Sequence, residues 1–369
     1  MPTAPPPPDP GNSGAEPRRL KAEDPDDLLA VLPFLLGYQP SESLVMAAVC
    51  DKVIAVCVRV DLAEDPDLVS DRLAEIATNN HASGVLLVAY SDEAARADRL
   101  LLPMIDRLQT VGVIDAIYTD GQRRWSRICN ADCCPPEGIP YRLDTNRLAA
   151  EAVFQGMSRQ TDRAAIAELV QGPPAERRPE LSALTEQVIE DVFARSQDER
   201  RREIAGWVSA HVRRRLEGLA VQPTERELVR LACLIVDVPV RDEAWALMRR
   251  QDAWVHVELW QQVVSHAVSP LDVPALGMLG MAAWISGQGT LQVCCIERAR
   301  QLDTNYSLID ILDDINDRAL PPTFWESIRS GVAGAIDDDV IGAGTGTDAR
   351  PTAIGPHRRT GRRPKRGAA

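Results

Sequence analysis

With 369 residues, 45% hydrophobic and 26% charged, the chain is long enough for two packed cores and has the composition of an ordinary globular protein. A net charge of −13 argues against a surface that coats nucleic acid, and an aromatic content of 4% argues against base-stacking platforms. The opening MPTAPPPPDPGNSGAEPRR lacks the apolar segment of a secretory signal, and the apolar stretch 28–36 is too short to span a bilayer. The expectation is a cytoplasmic protein with no membrane insertion. In a reducing compartment its eight cysteines read as buried hydrophobes, metal ligands or redox groups rather than a disulfide framework.

Residues 1–23 are Pro-rich and polar, a lead-in expected to be disordered. Asp24 is suited to cap a helix and Pro25 to open it; DDLLAVLPFLL follows, strained by Pro33 and closed by Gly37. SLVMAAVC and VIAVCVRV then read as two strands joined by a tight turn at Asp51-Lys52. After Asp61 the period changes, and Asp65-Pro66 opens a helix with Val69, Leu73, Ile76 and Ala77 on one face. GVLLVAY is a strand covered on both faces, and Ser91 is placed to cap a helix carrying Leu100, Leu101, Met104, Ile105 and Leu108. VIDAIYT is the next strand, and Asp120-Gly121 turns the chain back through QRRWSRIC.

Strands alternating with helices predict an α/β domain over 24–158, with a mixed sheet built from parallel crossovers and hairpins. From 159 to 335 an all-α domain is predicted. In it Ile204, Trp207, Val208, His211, Val212 and Leu216 form one apolar stripe, Thr224 and Glu227 fit a capping box, and 276–312 reads as a helical hairpin followed by a third helix. His211, Cys233, Cys294 and Cys295 fall in apolar helical contexts and read as core. Residues 336–369 form a Gly-rich and then basic tail expected to be disordered; its 358–366 stretch can contact polyanions by charge alone.

Ligands of open α/β sheets usually sit beyond the carboxyl ends of parallel strands. That rule makes Arg59, Asp61, Ser91 and Asp120 candidate ligand-binding residues, with Trp125 carried by the returning hairpin. Asp61 there can bind a ligand or metal, or simply cap its turn and pair with Arg59.

The densest chemistry lies in WSRICNADCCPPEG, 125–138. Cys129, Cys133 and Cys134 place three thiols within six residues, and Pro135-Pro136 keep the segment out of a helix. Three readings are open: a metal site, a redox pair, or a stiff structural corner. Zinc is the cofactor such thiols would take, but the C-x3-C-C spacing supplies only three ligands. A fourth would come from Asp132, Glu137, His81, Cys50 or Cys57. No G-x-S-x-G, P-loop or G-x-G-x-x-G stands at a strand end. The leading functional reading is therefore a non-enzymatic small-ligand-binding or regulatory protein whose helical domain meets a protein partner. The alternative is a metal- or thiol-dependent enzyme combining Asp61 with the loop 129–134.

LPFLLGYQPSESLVMAAV, VRVDL and RWSRICNADCCPPEG together resemble the family called domain of unknown function 4192. The likeness extends to AAWISGQGTLQVCCIERARQLDTNYSLIDIL and ALPPTFWE, covering most of 28–328. The resemblance implies a cytoplasmic actinobacterial protein and no particular activity.

Overall fold

Asp24 accepts the amide of Asp27 at 2.8 Å and so caps α1 (Pro25–Leu36), while Gly37 at φ 81° closes it in the left-handed conformation. The computed structural model describes residues 20–329 apart from 130, 132, 156, 158, 220, 221 and 304. Most of the Pro-rich lead-in and the whole Gly-rich, basic tail lie outside the described residues, as does Asp132.

β1 (Ser43–Cys50) and β2 (Val53–Asp61) form the expected hairpin. Asp51 and Lys52 both have positive φ, the conformation a two-residue turn needs to follow the strand twist. α2 (Pro66–Asn79), β3 (Gly84–Tyr90), α3 (Ala94–Arg107), β4 (Val113–Thr119) and β5 (Arg123–Ser126) follow, with a short β6 (Ile139–Pro140) that the sequence did not announce. The six-stranded sheet has the order β2-β1-β3-β4-β5-β6. The sheet is mixed, as expected. β1 lies antiparallel between β2 and β3, so the α2 crossover passes over it, and the parallel neighbours are β3 and β4.

Alternation along the strands feeds two cores. Leu44, Met46, Leu87, Ala89 and Tyr118 pack with Leu73, Leu100 and Met104 from α2 and α3. Val45, Ala47, Val88, Tyr90 and Ile117 face the other way and join α1 and the helical region in one continuous cluster.

That region comprises α4 (Arg147–Phe154), α5 (Arg163–Glu168), α6 (Arg178–Phe193), α7 (Gln197–Leu216), α8 (Glu225–Leu234), α9 (Val238–Ala246), α10 (Ala253–Val264), α11 (Asp272–Ile285), α12 (Gly289–Leu302) and α13 (Ser307–Asp317). Thr224 and Glu227 form the predicted capping box, and Ser196 with Glu199 forms another. α11 is buried from Val273 to Ile285. Its Gly277 and Gly280 let α13 come close: a Cβ at either would fall 2.9 Å from Leu308 or 2.7 Å from Leu312. Trp325 is fully buried, stacks on Trp245 at 5.4 Å, and donates its indole N–H to Met248 O at 2.9 Å. His211 is buried and stacked on Trp207 at 5.2 Å, as its apolar stripe predicted. No helix among the described residues is long and apolar enough to cross a membrane.

Candidate functional site

The cysteine loop hangs from the β4–β5 hairpin. Asp120 accepts the amides of Gln122 and Arg123 at 2.8 and 2.7 Å, and Gly121 takes φ 89°, which fixes the turn and hence the register Tyr118↔Trp125. In that register the two rings stack with centroids 5.0 Å apart. Arg127 lies over the same Tyr118 ring at 5.0 Å and grips Asp98 of α3 at 2.7 and 3.1 Å. The outgoing limb of the loop is therefore held to both sheet and helix.

Ser126 continues the anchoring. Its hydroxyl donates to Asp115 Oδ1 at 2.8 Å and accepts the Cys129 amide at 3.2 Å. The returning limb is fixed from β5: Trp125 Nε1 donates to Pro136 O at 3.0 Å, and the Arg123 guanidinium donates to the carbonyls of Glu137 and Gly138 at 2.9 and 2.8 Å. Within the loop, the Cys134 amide donates to Ala131 O at 2.9 Å, a local turn that brings Cys133 and Cys134 back toward Cys129.

The three sulfurs converge. Cys129 Sγ is 3.6 Å from Cys133 Sγ, Cys133 Sγ is 3.9 Å from Cys134 Sγ, and all three lie within 4.8 Å of one another. Zinc–thiolate bonds of about 2.3 Å arranged tetrahedrally require sulfur–sulfur edges of about 3.8 Å. Closure of the loop thus produces near-zinc spacing. The Ala131 amide, with further hydrogen bonds from Cys134 and Cys133, favours the Cys129 thiolate and lowers its pKa. Hydrogen bonding to Cys129 together with local desolvation pushes Cys134 up to about 12. The hydrogen bonds of the loop therefore favour negative charge on Cys129 over Cys134. Cys133 is exposed and the other two are half-buried, so an ion can reach them from solvent. Among the described residues no fourth histidine, cysteine or carboxylate joins this group. Glu137 and His81 stay outside it. Cys50 and Cys57 belong to β1 and β2, and burial raises Cys57 to about 12.

The strand-end candidates are assembled differently. Asp61, Ser43, Tyr90 and Thr119 occupy one register row, so the carboxyl ends of β2, β3 and β4 do align. Asp61, Ser91, Thr119 and Asp120 are engaged within the fold, whereas Ser43 Oγ, Tyr90 OH and Arg59 Nε are buried without a hydrogen-bond partner. Asp61 pairs with Arg59 at 3.3 Å and accepts the Ala63 amide at 2.9 Å. Ser91 donates to Glu42 at 2.9 Å and accepts the Glu93 amide at 3.2 Å. It therefore braces the turn before α3, whose N-cap position is taken by Glu93 rather than by Ser91 as expected. Asp120 caps its own hairpin. Trp125 holds the cysteine loop.

The combined site of Asp61 with the loop 129–134 does not form. β5 runs antiparallel to β4, and Ser126 pairs with Ile117, so the loop leaves toward the amino-terminal end of β4. Asp61 stands on edge strand β2 at the opposite end of the strands. Spacing of about 4.8 Å between neighbouring strands puts Asp61 roughly 14 Å from Thr119 before the length of β4 is added.

Three supporting residues escaped the sequence reading. Ser126, Asp115 and Gly138 hold the loop, and only Gly138, just past a diproline, carried a local hint, since φ 77° there favours glycine.

No curated protein and no solved structure matches the chain. A family model matches residues 25–323, the greater part of the chain, and on that match the chain belongs to the family described as domain of unknown function DUF4192.

Proposed function

We propose that this protein binds a thiophilic metal ion, with zinc as the reference cation, through Cys129, Cys133 and Cys134. The observation that carries this reading is the clustering of three sulfurs at 3.6 and 3.9 Å in a loop pinned at both limbs. Pre-positioning lowers the ordering cost of binding, and the favoured Cys129 thiolate lowers the cost of deprotonation. Three protein ligands leave one tetrahedral position for a water, a small ligand or a side chain of a protein partner. The reading is of a binding or regulatory protein, because the strand-end candidates Asp61, Ser91 and Asp120 cap and brace the fold and do not join the sulfur cluster.

The test is elemental analysis and native mass spectrometry of protein purified under reducing conditions, followed by zinc titration against a chromophoric chelator. Zinc stoichiometric with the chain, lost in Cys129→Ser/Cys133→Ser, supports the reading. Metal-free protein of full helical content that takes up no zinc on titration overturns it.

A further inference from the structure

A cleft of about 320 Å³ opens where α6, the α10–α11 connection and α12 meet, far in sequence from the cysteine loop and sharing no residue with it. Its volume falls in the range of small-molecule sites, roughly 300–1,000 Å³. Val264, Val268 and Leu276 supply apolar wall, and Arg178 and Arg298 both line it. Arginines elsewhere in this acidic chain are commonly matched with carboxylates, as Arg163 is with Glu297 and Arg300 with Asp313. These two make no ion pair among the described residues. Arg178 donates Nε–H to Pro173 O at 3.1 Å, and Arg298 donates one terminal N–H to Gln301 at 3.3 Å. The Nε of Arg298 is buried with no hydrogen-bond partner. Both guanidiniums thus bring positive charge to the cleft with no carboxylate against it, and an anion entering the cleft would supply the missing partner.

We infer that this cleft binds a monocarboxylate with an apolar tail. Two guanidinium groups match a planar carboxylate, while the valine and leucine wall matches an alkyl chain. Asp272 also lines the cleft, its Oδ1 accepting the Val273 amide at 3.0 Å. It offsets part of the charge of the two arginines, and preference for an alkyl carboxylate over phosphate rests on the apolar wall, which phosphate cannot fill.

The experiment titrates the full chain with hexanoate, hexanamide and inorganic phosphate, read by ligand-observed saturation-transfer NMR and by thermal shift. Saturable hexanoate binding, with hexanamide and phosphate much weaker, is expected. Arg298→Gln should weaken hexanoate on the order of tenfold, the loss of a charge-assisted hydrogen bond. Arg178→Gln, more exposed and so less exposed to folding defects, should also weaken it. Absence of hexanoate binding, equal binding of hexanamide, equal or tighter binding of phosphate, or unchanged affinity in folded Arg178→Gln and Arg298→Gln proteins would each overturn the assignment.

Discussion

The indole of Trp125 lies directly against the backbone of Gly138: a Cβ there would fall 2.3 Å from Trp125 Cε2. Since Trp125 also stacks on Tyr118 and donates to Pro136, Gly138 sits where the returning limb of the cysteine loop meets the sheet. Gly138→Ala meets both this contact and a φ of 77°. The backbone conformation alone costs about 1–3 kcal/mol in a non-glycine residue. Urea denaturation should show a loss of at least that size, and zinc titration should show weaker uptake. Unchanged zinc affinity would mean that the Trp125 contact does not position the sulfurs.

The unequal thiols predict an order of modification. Cys129, whose thiolate the Ala131 amide favours, should be alkylated by iodoacetamide well before Cys134, which its hydrogen bond to Cys129 holds up to about 12. Cys129 should also stay reactive at a lower pH than an ordinary cysteine. Peptide mapping by mass spectrometry after brief labelling near neutral pH reads both. Equal labelling of Cys129 and Cys134 would contradict the hydrogen-bond arrangement within the loop.

His256 makes the helical region acid-sensitive. Burial, with nearby His211, depresses it from 6.5 to about 4, and its Nδ1 has no hydrogen-bond partner. Between these values the unfolded chain binds a proton that the folded chain excludes. The stabilisation is fully present above pH 6.5 and is lost as pH falls toward 4, below which the loss levels off. The difference amounts to about 3 kcal/mol. Denaturant midpoints measured from pH 7 to pH 4 should fall accordingly, and His256→Leu should flatten the dependence. A slope that His256→Leu leaves unchanged assigns the effect to other groups.

Trp325 closes the helical core, wedged between Trp245 and Trp284 with its N–H on Met248 O. Trp325→Ala should cost about 3–5 kcal/mol, the range for emptying a buried aromatic site. Trp325→Phe should recover most of that, short of the hydrogen bond, which is worth about 1 kcal/mol. Thermal and chemical unfolding of both variants test the ranking, and equal losses in the two would point away from packing as the cause.

Local chemistry made much of the fold legible. Asp24-Pro25 and Gly37 bound α1, Asp51-Lys52 and Asp120-Gly121 make the hairpins, and Thr224 with Glu227 caps α8, because caps and turns depend on neighbours within four residues. The three thiols were visible for the same reason. The single core shared by Val45, Val88, α1 and the helical region was not, because apolar periodicity says that a face is buried without saying against what.

What the sequence by itself determined is that three cysteines share a stiff loop after an Asp-Gly hairpin and that a carboxylate ends the second strand. Which of them meet was decided by tertiary structure. The insertion of β1 between β2 and β3 puts Asp61 on an edge strand, while antiparallel β5 carries the sulfurs to the far end of β4. Strand order and direction follow from how both faces of the sheet are buried at once, a condition set by residues far apart in the chain. Within the β4–β5 hairpin and its loop Asp115 meets Ser126 and Gly138 meets Trp125, contacts invisible in the sequence because they join side chains and backbone across the fold of the loop. Those contacts gather the thiols into a cluster of near-zinc dimensions.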